Sequence, residues 1–223
     1  MRQTDAAEQI QQRLVYRSRL MDLVCRLRAA HVVHQTRILR HLPTTGTILD
    51  VGAGYGHVTE AILRREPHRS CVLLEPGYDL SPQVARRIAA YACHALRGDG
   101  RHLPFADATF DAACALFVLH HVEVADQTVI LREVERVLRP GGIFVFAEDT
   151  PRTRREHANA VRADRRLNFE PAGAPHNYRA PDAWRSELAA QGFAIVEEIA
   201  FAWLYPPVTL LPVPHRAYVC RRH

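Results

Sequence analysis

The sequence predicts an α/β protein with a doubly wound, mostly parallel sheet of seven strands, N-terminal helices and a lid insertion. Three observations carry this. Seven short apolar runs alternate with helical stretches, and they lack the period-two pattern of a half-solvated strand, which implies a sheet covered on both faces. A glycine-rich loop, "DVGAGYG", directly follows the first run, where open α/β sheets hold their ligands. At 223 residues and 48% hydrophobic composition, a single domain can bury its core without disulfides.

Residues 5–42 read as helical, because Leu20, Leu23, Val24 and Leu27 recur at i, i+3, i+4 and i+7 and Ile38, Leu39 and Leu42 continue the pattern up to Pro43. "GTILDVG" is the first strand, followed by a helix over 59–65. "SCVLLE" is the second strand, and residues 81–91 form the next helix, with Ser81 as cap and Pro82 at the first helical position. "CHALRGD" and "FDAACALFVL" continue the alternation, then a helix over 126–138 and the strand "GIFVFAED" after the "RPGG" turn. Residues 150–181 are polar and Arg-dense, which fits a lid better than a sheet layer. A helix over 182–191 and the strands "FAIVEEIAF" and "HRAYVC" complete the chain.

Composition narrows the function classes. The formal net charge is +5, but every basic residue is Arg and none is Lys, a bias of GC-rich coding rather than of a binding patch. No nucleic-acid recognition motif accompanies it, so no nucleic-acid partner is expected. Cys25, Cys71, Cys93, Cys114 and Cys220 are widely spaced, odd in number and set mostly in apolar runs, so they read as buried hydrophobes. The polar start "MRQTDAAEQIQQRL" lacks the core of a signal peptide, and no run approaches the roughly 18 apolar residues of a membrane span. A cytoplasmic protein with no membrane partner is the expectation. His31 and His34 share a helix face without a third ligand, so no metal is expected either. Oligomeric state is not readable.

Gly52, Gly54 and Gly56 run G-x-G-x-G, whereas a nicotinamide site needs G-x-G-x-x-G and would want a glycine where His57 stands. That spacing argues against a nicotinamide oxidoreductase. Asp50, two residues before the first glycine, is unhelpful to a pyrophosphate and suits a ligand carrying an amine and no phosphate.

At these residues the sequence resembles the class I S-adenosylmethionine-dependent methyltransferases. "DVGAGYG" matches their first motif, "GDGRHLPFADATFDAA" resembles the G-D-A-x-x-L-P-F stretch of the small-molecule branch, and "REVERVLRPGGIFVFAED" resembles its R-V-L-K-P-G-G strand entry. "YRAPDAWRSELAAQGFAIVEE" is similar to the usual late helix and strand, so the resemblance spans residues 46–221.

The resemblance implies a Rossmann-like fold, S-adenosyl-L-methionine as cofactor and S-adenosyl-L-homocysteine as product. It implies one domain: a helical cap over 1–43, a cofactor-binding core over 44–149, a lid over 150–181 and a C-terminal part over 182–223. The acceptor would be an O, N or C nucleophile of a small molecule, a specialised metabolite by analogy with the quinone and natural-product branch. An S-adenosylmethionine-binding protein without methyl transfer is the alternative.

By the same resemblance Asp50, Gly52, Ala53, Gly54 and Gly56 face the methionine moiety, Asp50 reaching its ammonium group through water. Glu75, ending the second strand, accepts from the ribose hydroxyls, with Asp79 as second candidate. Asp99 accepts from the adenine amine, Gly100 leaves room for the ring, and Leu116 and Phe117 line the methyl end. His120 and His121 beside that end are candidate general bases, since a histidine near its ordinary pKa suits base work at neutral pH. His176, Asn177 and Tyr178 are expected at the acceptor pocket or on a surface turn. Arg152, Arg154, Arg155, Arg162, Arg165, Arg166 and Arg179 read first as a solvated face, and second as a site for an acidic acceptor.

Overall fold

Strands form where the sequence offers unbroken apolar runs. In a computed structural model, which describes residues 19–77, 82–167, 175–203 and 211–223, β1 (Thr47–Val51), β2 (Ser70–Glu75), β3 (Cys93–Arg97), β4 (Phe110–Leu116) and β5 (Leu138–Asp149) are followed by β6 (Phe193–Trp203) and β7 (Val213–Arg222). Ala112, Ala113, Cys114 and Ala115 of β4 are all fully buried, as a strand covered on both faces requires. The sheet order is β3-β2-β1-β4-β5-β7-β6, with β7 antiparallel to both its neighbours and the other pairings parallel.

Between the strands run α1 (Arg19–Gln35), α2 (His57–Leu63), α3 (Pro82–Ile88), α4 (Val124–Val137), α5 (Arg154–Leu167) and α6 (Pro181–Ala190). Two large apolar cores flank the sheet, beside a small third cluster of Ala160, Ala163 and Val213. Ile130, Leu131 and Val134 of α4 and Trp184 and Leu188 of α6 pack with Leu49, Val51, Phe144 and Phe146 on one face of the sheet. Val33 of α1, Ile62 and Leu63 of α2 and Val84 and Ile88 of α3 pack with Ile48, Leu73, Cys114 and Val145 on the other. Alternate residues of one strand serve opposite layers, which is why the sequence shows runs rather than stripes.

The first helix departs from the expectation. Its buried line is Cys25, Ala29 and Val33, whereas Leu23 and Leu27 are 52% and 61% exposed. Small residues at i, i+4 and i+8 let α1 approach α2 closely, so size rather than hydrophobicity selects the inward face. The helix also stops at Gln35, because Arg37 turns left-handed (φ 51°) before a short 3-10 turn over Ile38–Arg40. Ser81 and the start of the 5–42 stretch lie outside the described residues. All five cysteines are free thiols, Cys93 alone being half-buried. No helix among the described residues is long and apolar enough to cross a membrane.

Candidate functional site

The carboxyl ends of β1, β2 and β4 converge on the glycine loop. The Gly52 and Ala53 amides both donate to the Leu74 carbonyl, at 2.8 and 3.2 Å, which folds the loop back over β2. Gly52 has φ +70°, and a Cβ there would stand 2.5 Å from Val118 Cγ1. Only glycine permits both that turn and that approach. At Gly54 (φ +52°) a Cβ would meet nothing within 4 Å, so the loop crest faces open space.

Beside that crest the Gly54 amide donates to Glu75 Oε2 at 3.2 Å and the Gly77 amide to Glu75 Oε1, also at 3.2 Å. Burial raises the Glu75 carboxyl above its ordinary pKa, while these two amides and the charge of His121 act in the opposite direction. Asp79 lies outside the described residues. Asp50 sits below the loop, buried, and accepts from the Thr59 hydroxyl and, at 3.4 Å, from the Cys114 thiol. Its burial pushes the pKa up to about 6 against the pull of both bonds.

Asp99 is bound on both oxygens by Arg101, whose Nη1 reaches Asp126 Oδ2 at 2.9 Å, and this guanidinium holds the carboxyl below its usual range. Gly100 is buried, and a Cβ would come within 3.3 Å of Val51 and 3.4 Å of Ile130. Three acids thus stand at or just beyond the ends of three adjacent strands. A cofactor offering an ammonium, two ribose hydroxyls and an adenine amine presents donors to all three, so the residues fit S-adenosylmethionine by charge and by donor type.

Leu116 and Phe117 close β4. Phe117 holds φ +61° and its amide donates to the Ala147 carbonyl at 2.7 Å. A non-glycine residue in that region is strained, and such strain gathers at sites of function. Both residues border a cavity of about 190 Å³ that also touches Ala53, Asp149 of β5, Asp164 of α5 and Trp203 of β6, with α1 along one side.

His120 and His121 follow on a 3-10 turn and behave differently. His120 is 1% exposed, with Nδ1 2.5 Å from Glu148 Oε2 and Nε2 3.3 Å from Asp164 Oδ2. Burial by itself would lower its pKa, but the two carboxylates overcome it and hold the imidazole well above its ordinary value. His120 is thus enclosed between two carboxylates. The His121 ring lies tilted against that of His120 with centroids 3.8 Å apart, and neither ring borders the cavity.

Glu148 also accepts from the Val118 and Leu119 amides at 3.0 and 2.6 Å, so it anchors the turn after β4. The Tyr178 hydroxyl donates to Asp164, and the Asn177 amide to the His120 carbonyl at 2.9 Å. The second of these bonds ties Asn177 to the turn after β4. In α5 the Arg residues at 155, 162, 165 and 166 are exposed while Asn159, Ala160, Ala163 and Asp164 face inward, and Arg152 and Arg154 just outside or at its start are exposed as well. Arg179 pairs with Glu187 at 2.8 Å over the Trp184 ring. The His31 ring lies tilted against that of Trp203 with centroids 3.7 Å apart, and no group of three metal-ligating side chains occurs among the described residues.

Sequence reading missed Glu148, Asp149, Asp164 and His215. The acid pair ending the apolar run "GIFVFAED" was the available signal, because charge at a strand's carboxyl end points toward the site.

The methyltransferase domain family matches residues 49–146. The chain is 37% identical over 113 residues to malonyl-(acyl-carrier protein) O-methyltransferase of Dechloromonas aromatica, covering 51% of this chain and 40% of that one. It is 31% identical over 109 residues to a ubiquinone/menaquinone biosynthesis C-methyltransferase of Desulfotalea psychrophila, covering 49% and 44%. The chain spans less than half the length of these two curated relatives. A solved SAM-dependent methyltransferase of Thermotoga maritima shares the fold with a TM-score of 0.68 at 17% identity, over 95% of this chain and 97% of that one. The matched region runs from Leu49 inside β1 to Phe146 inside β5, taking in the glycine loop and all three acids, so over that region the chain is similar to the methyltransferase domain family.

Proposed function

We propose that this protein transfers the methyl group of S-adenosylmethionine to an O, N or C nucleophile of a small molecule. The observation that carries the reading is Glu75, whose carboxylate is aimed by the Gly54 amide of the same loop that leaves open space above it. When bound, the cofactor supplies an activated methyl group, so the protein's work is to hold the acceptor in line and exclude water.

In this reading Glu75 accepts from both ribose hydroxyls and Asp99 from the adenine amine once Arg101 turns aside. Asp50 reaches the ammonium group through water, since Thr59 and Cys114 already hold its oxygens. Gly52, Ala53, Gly54 and Gly56 bring backbone against the methionine moiety, Gly100 leaves room for adenine, and Leu116 and Phe117 wall the methyl end. His120 and His121 shape that end, His120 by gripping Asp164 of the lid. A specialised metabolite as acceptor, a cytoplasmic setting and the absence of a nucleic-acid partner belong to the same proposal. The names of the curated relatives, an acyl-carrier-protein enzyme and a quinone enzyme, support a small acceptor.

Calorimetric titration with S-adenosylmethionine, S-adenosylhomocysteine and NAD tests it, with thermal melting alongside. Ligand at 100 times its dissociation constant adds about 2.7 kcal/mol of stability, a shift of several degrees. Saturable binding of both adenosyl ligands and none of NAD is expected. Absence of adenosyl binding would end the methyltransferase reading, and binding with no turnover on any acceptor class would favour a non-methylating role.

A further inference from the structure

The cavity beside the glycine loop is bordered by an acid, Asp149, that the cofactor reading does not use. Asp149 is the last residue of β5, buried, and part of the cavity wall. Across the antiparallel register it faces His215 of β7, whose Nδ1 lies 2.5 Å from Asp149 Oδ1. The rings of Phe117 and Phe201 stand 5.1 Å from the His215 imidazole and confine it. A second carboxylate, Asp164, borders the same cavity.

Against these two acids the wall carries the guanidinium of Arg28 and the ring of His57, which burial lowers to a pKa of about 4 and so keeps neutral. The remaining wall is largely apolar, with Leu116, Phe117 and Trp203. Asp164 is already paired with His120 at 3.3 Å, so a carboxylate nucleophile entering here would be repelled chiefly by the charge of Asp149. A nucleophile with a proton to donate meets an acceptor instead.

Resting on the methyltransferase reading, we propose that Asp149 contacts the methyl acceptor, and that the acceptor is a small amine or hydroxyl compound whose reacting atom still carries a proton. The acceptor's lone pair forms the bond to the methyl carbon, and the carbon–sulfur bond breaks with its electron pair going to sulfur. The acceptor's proton passes to the Asp149 carboxylate and on to water. Asp149 is the catalytic residue and His215 a positioning residue that fixes one of its oxygens.

Three compounds of similar shape test this: 2-phenylethylamine, 2-phenylethanol and 3-phenylpropanoate, each titrated calorimetrically into protein saturated with S-adenosylhomocysteine. The amine and the alcohol are expected to bind, and the carboxylate to bind at least about tenfold more weakly, the scale of one charge-assisted hydrogen bond. Asp149→Asn is expected to weaken the amine by at least about tenfold with S-adenosylhomocysteine affinity kept. His215→Leu should reproduce that loss and His215→Gln, which retains a donor, should recover most of it. Carboxylate binding equal to or tighter than the amine in the wild type overturns the proposal, as does an Asp149→Asn protein that binds S-adenosylhomocysteine normally and the amine unchanged. The wild-type ranking decides even where a variant fails to fold. Failure of S-adenosylhomocysteine to bind the wild type overturns the methyltransferase reading itself, and this proposal with it.

Discussion

The acids on the two sides of the glycine loop are held in different ways. On the donor side Glu75 is fixed by the backbone amides of Gly54 and Gly77, Asp50 by a hydroxyl nine residues away and more weakly by a thiol 64 residues away, and Asp99 by an arginine two residues away. On the acceptor side Glu148 is held by a histidine 28 residues away, Asp149 by one 66 residues away, and Asp164 by Tyr178 and His120 from two further segments. Partners that are backbone or near in sequence can be written as a motif. Partners that meet only across layers cannot.

The largest expected effect lies on the acceptor side. His120→Ala strands Glu148 and Asp164 without their cation and should cost about 3–5 kcal/mol, read as a lower denaturation midpoint. Because the folded pKa of His120 is raised, its contribution is fully present below the ordinary value of 6.5 and is lost as pH rises through the higher folded value. A His120→Ala protein of unchanged stability would erase the contrast between the two sides.

On the donor side Gly52→Ala drives a Cβ into Val118 at positive φ and should destabilise by about 1–3 kcal/mol, as overpacking does. Glu75→Ala should leave stability nearly unchanged and weaken S-adenosylhomocysteine binding by about 1–3 kcal/mol in calorimetry. If Asp79→Ala alone did so, the ribose contact would belong there.

A smaller effect separates binding from folding at Asp50. Its raised pKa favours the folded state below its unfolded value of 3.8, and that contribution is lost as pH rises through about 6. Binding of an ammonium group runs the other way, strengthening by up to about tenfold per pH unit as Asp50 ionises on approach to pH 6. Asp50→Asn should flatten that binding profile. The smallest change expected is for Arg101→Ala, which frees Asp99 and should alter cofactor affinity by no more than about fivefold, as an exposed ion pair warrants.

Much of the fold was legible because strand runs and glycine spacing depend on neighbours in sequence. Where the reading failed, geometry had selected among residues of similar chemistry. The leucines of α1 formed a better helical stripe than Cys25, Ala29 and Val33, yet close approach to α2 required the small side chains. His120 and His121 are chemically identical in sequence. Only the register of β5 and the docking of α5 give one of them two carboxylates.

The sequence by itself determined the sheet of seven strands, the loop of three glycines and the acids Asp50, Glu75 and Asp99 that suit a cofactor rich in donors. These follow from local backbone requirements, since a strand end, a tight turn and an acid at a set spacing constrain one another along the chain. The tertiary structure alone decided that His120 sits between Glu148 and Asp164 and that Asp149 meets His215 beside the cavity. Such pairings arise where β5, β7 and α5 are brought together by burial, and burial is a property of the packed whole rather than of any stretch of residues.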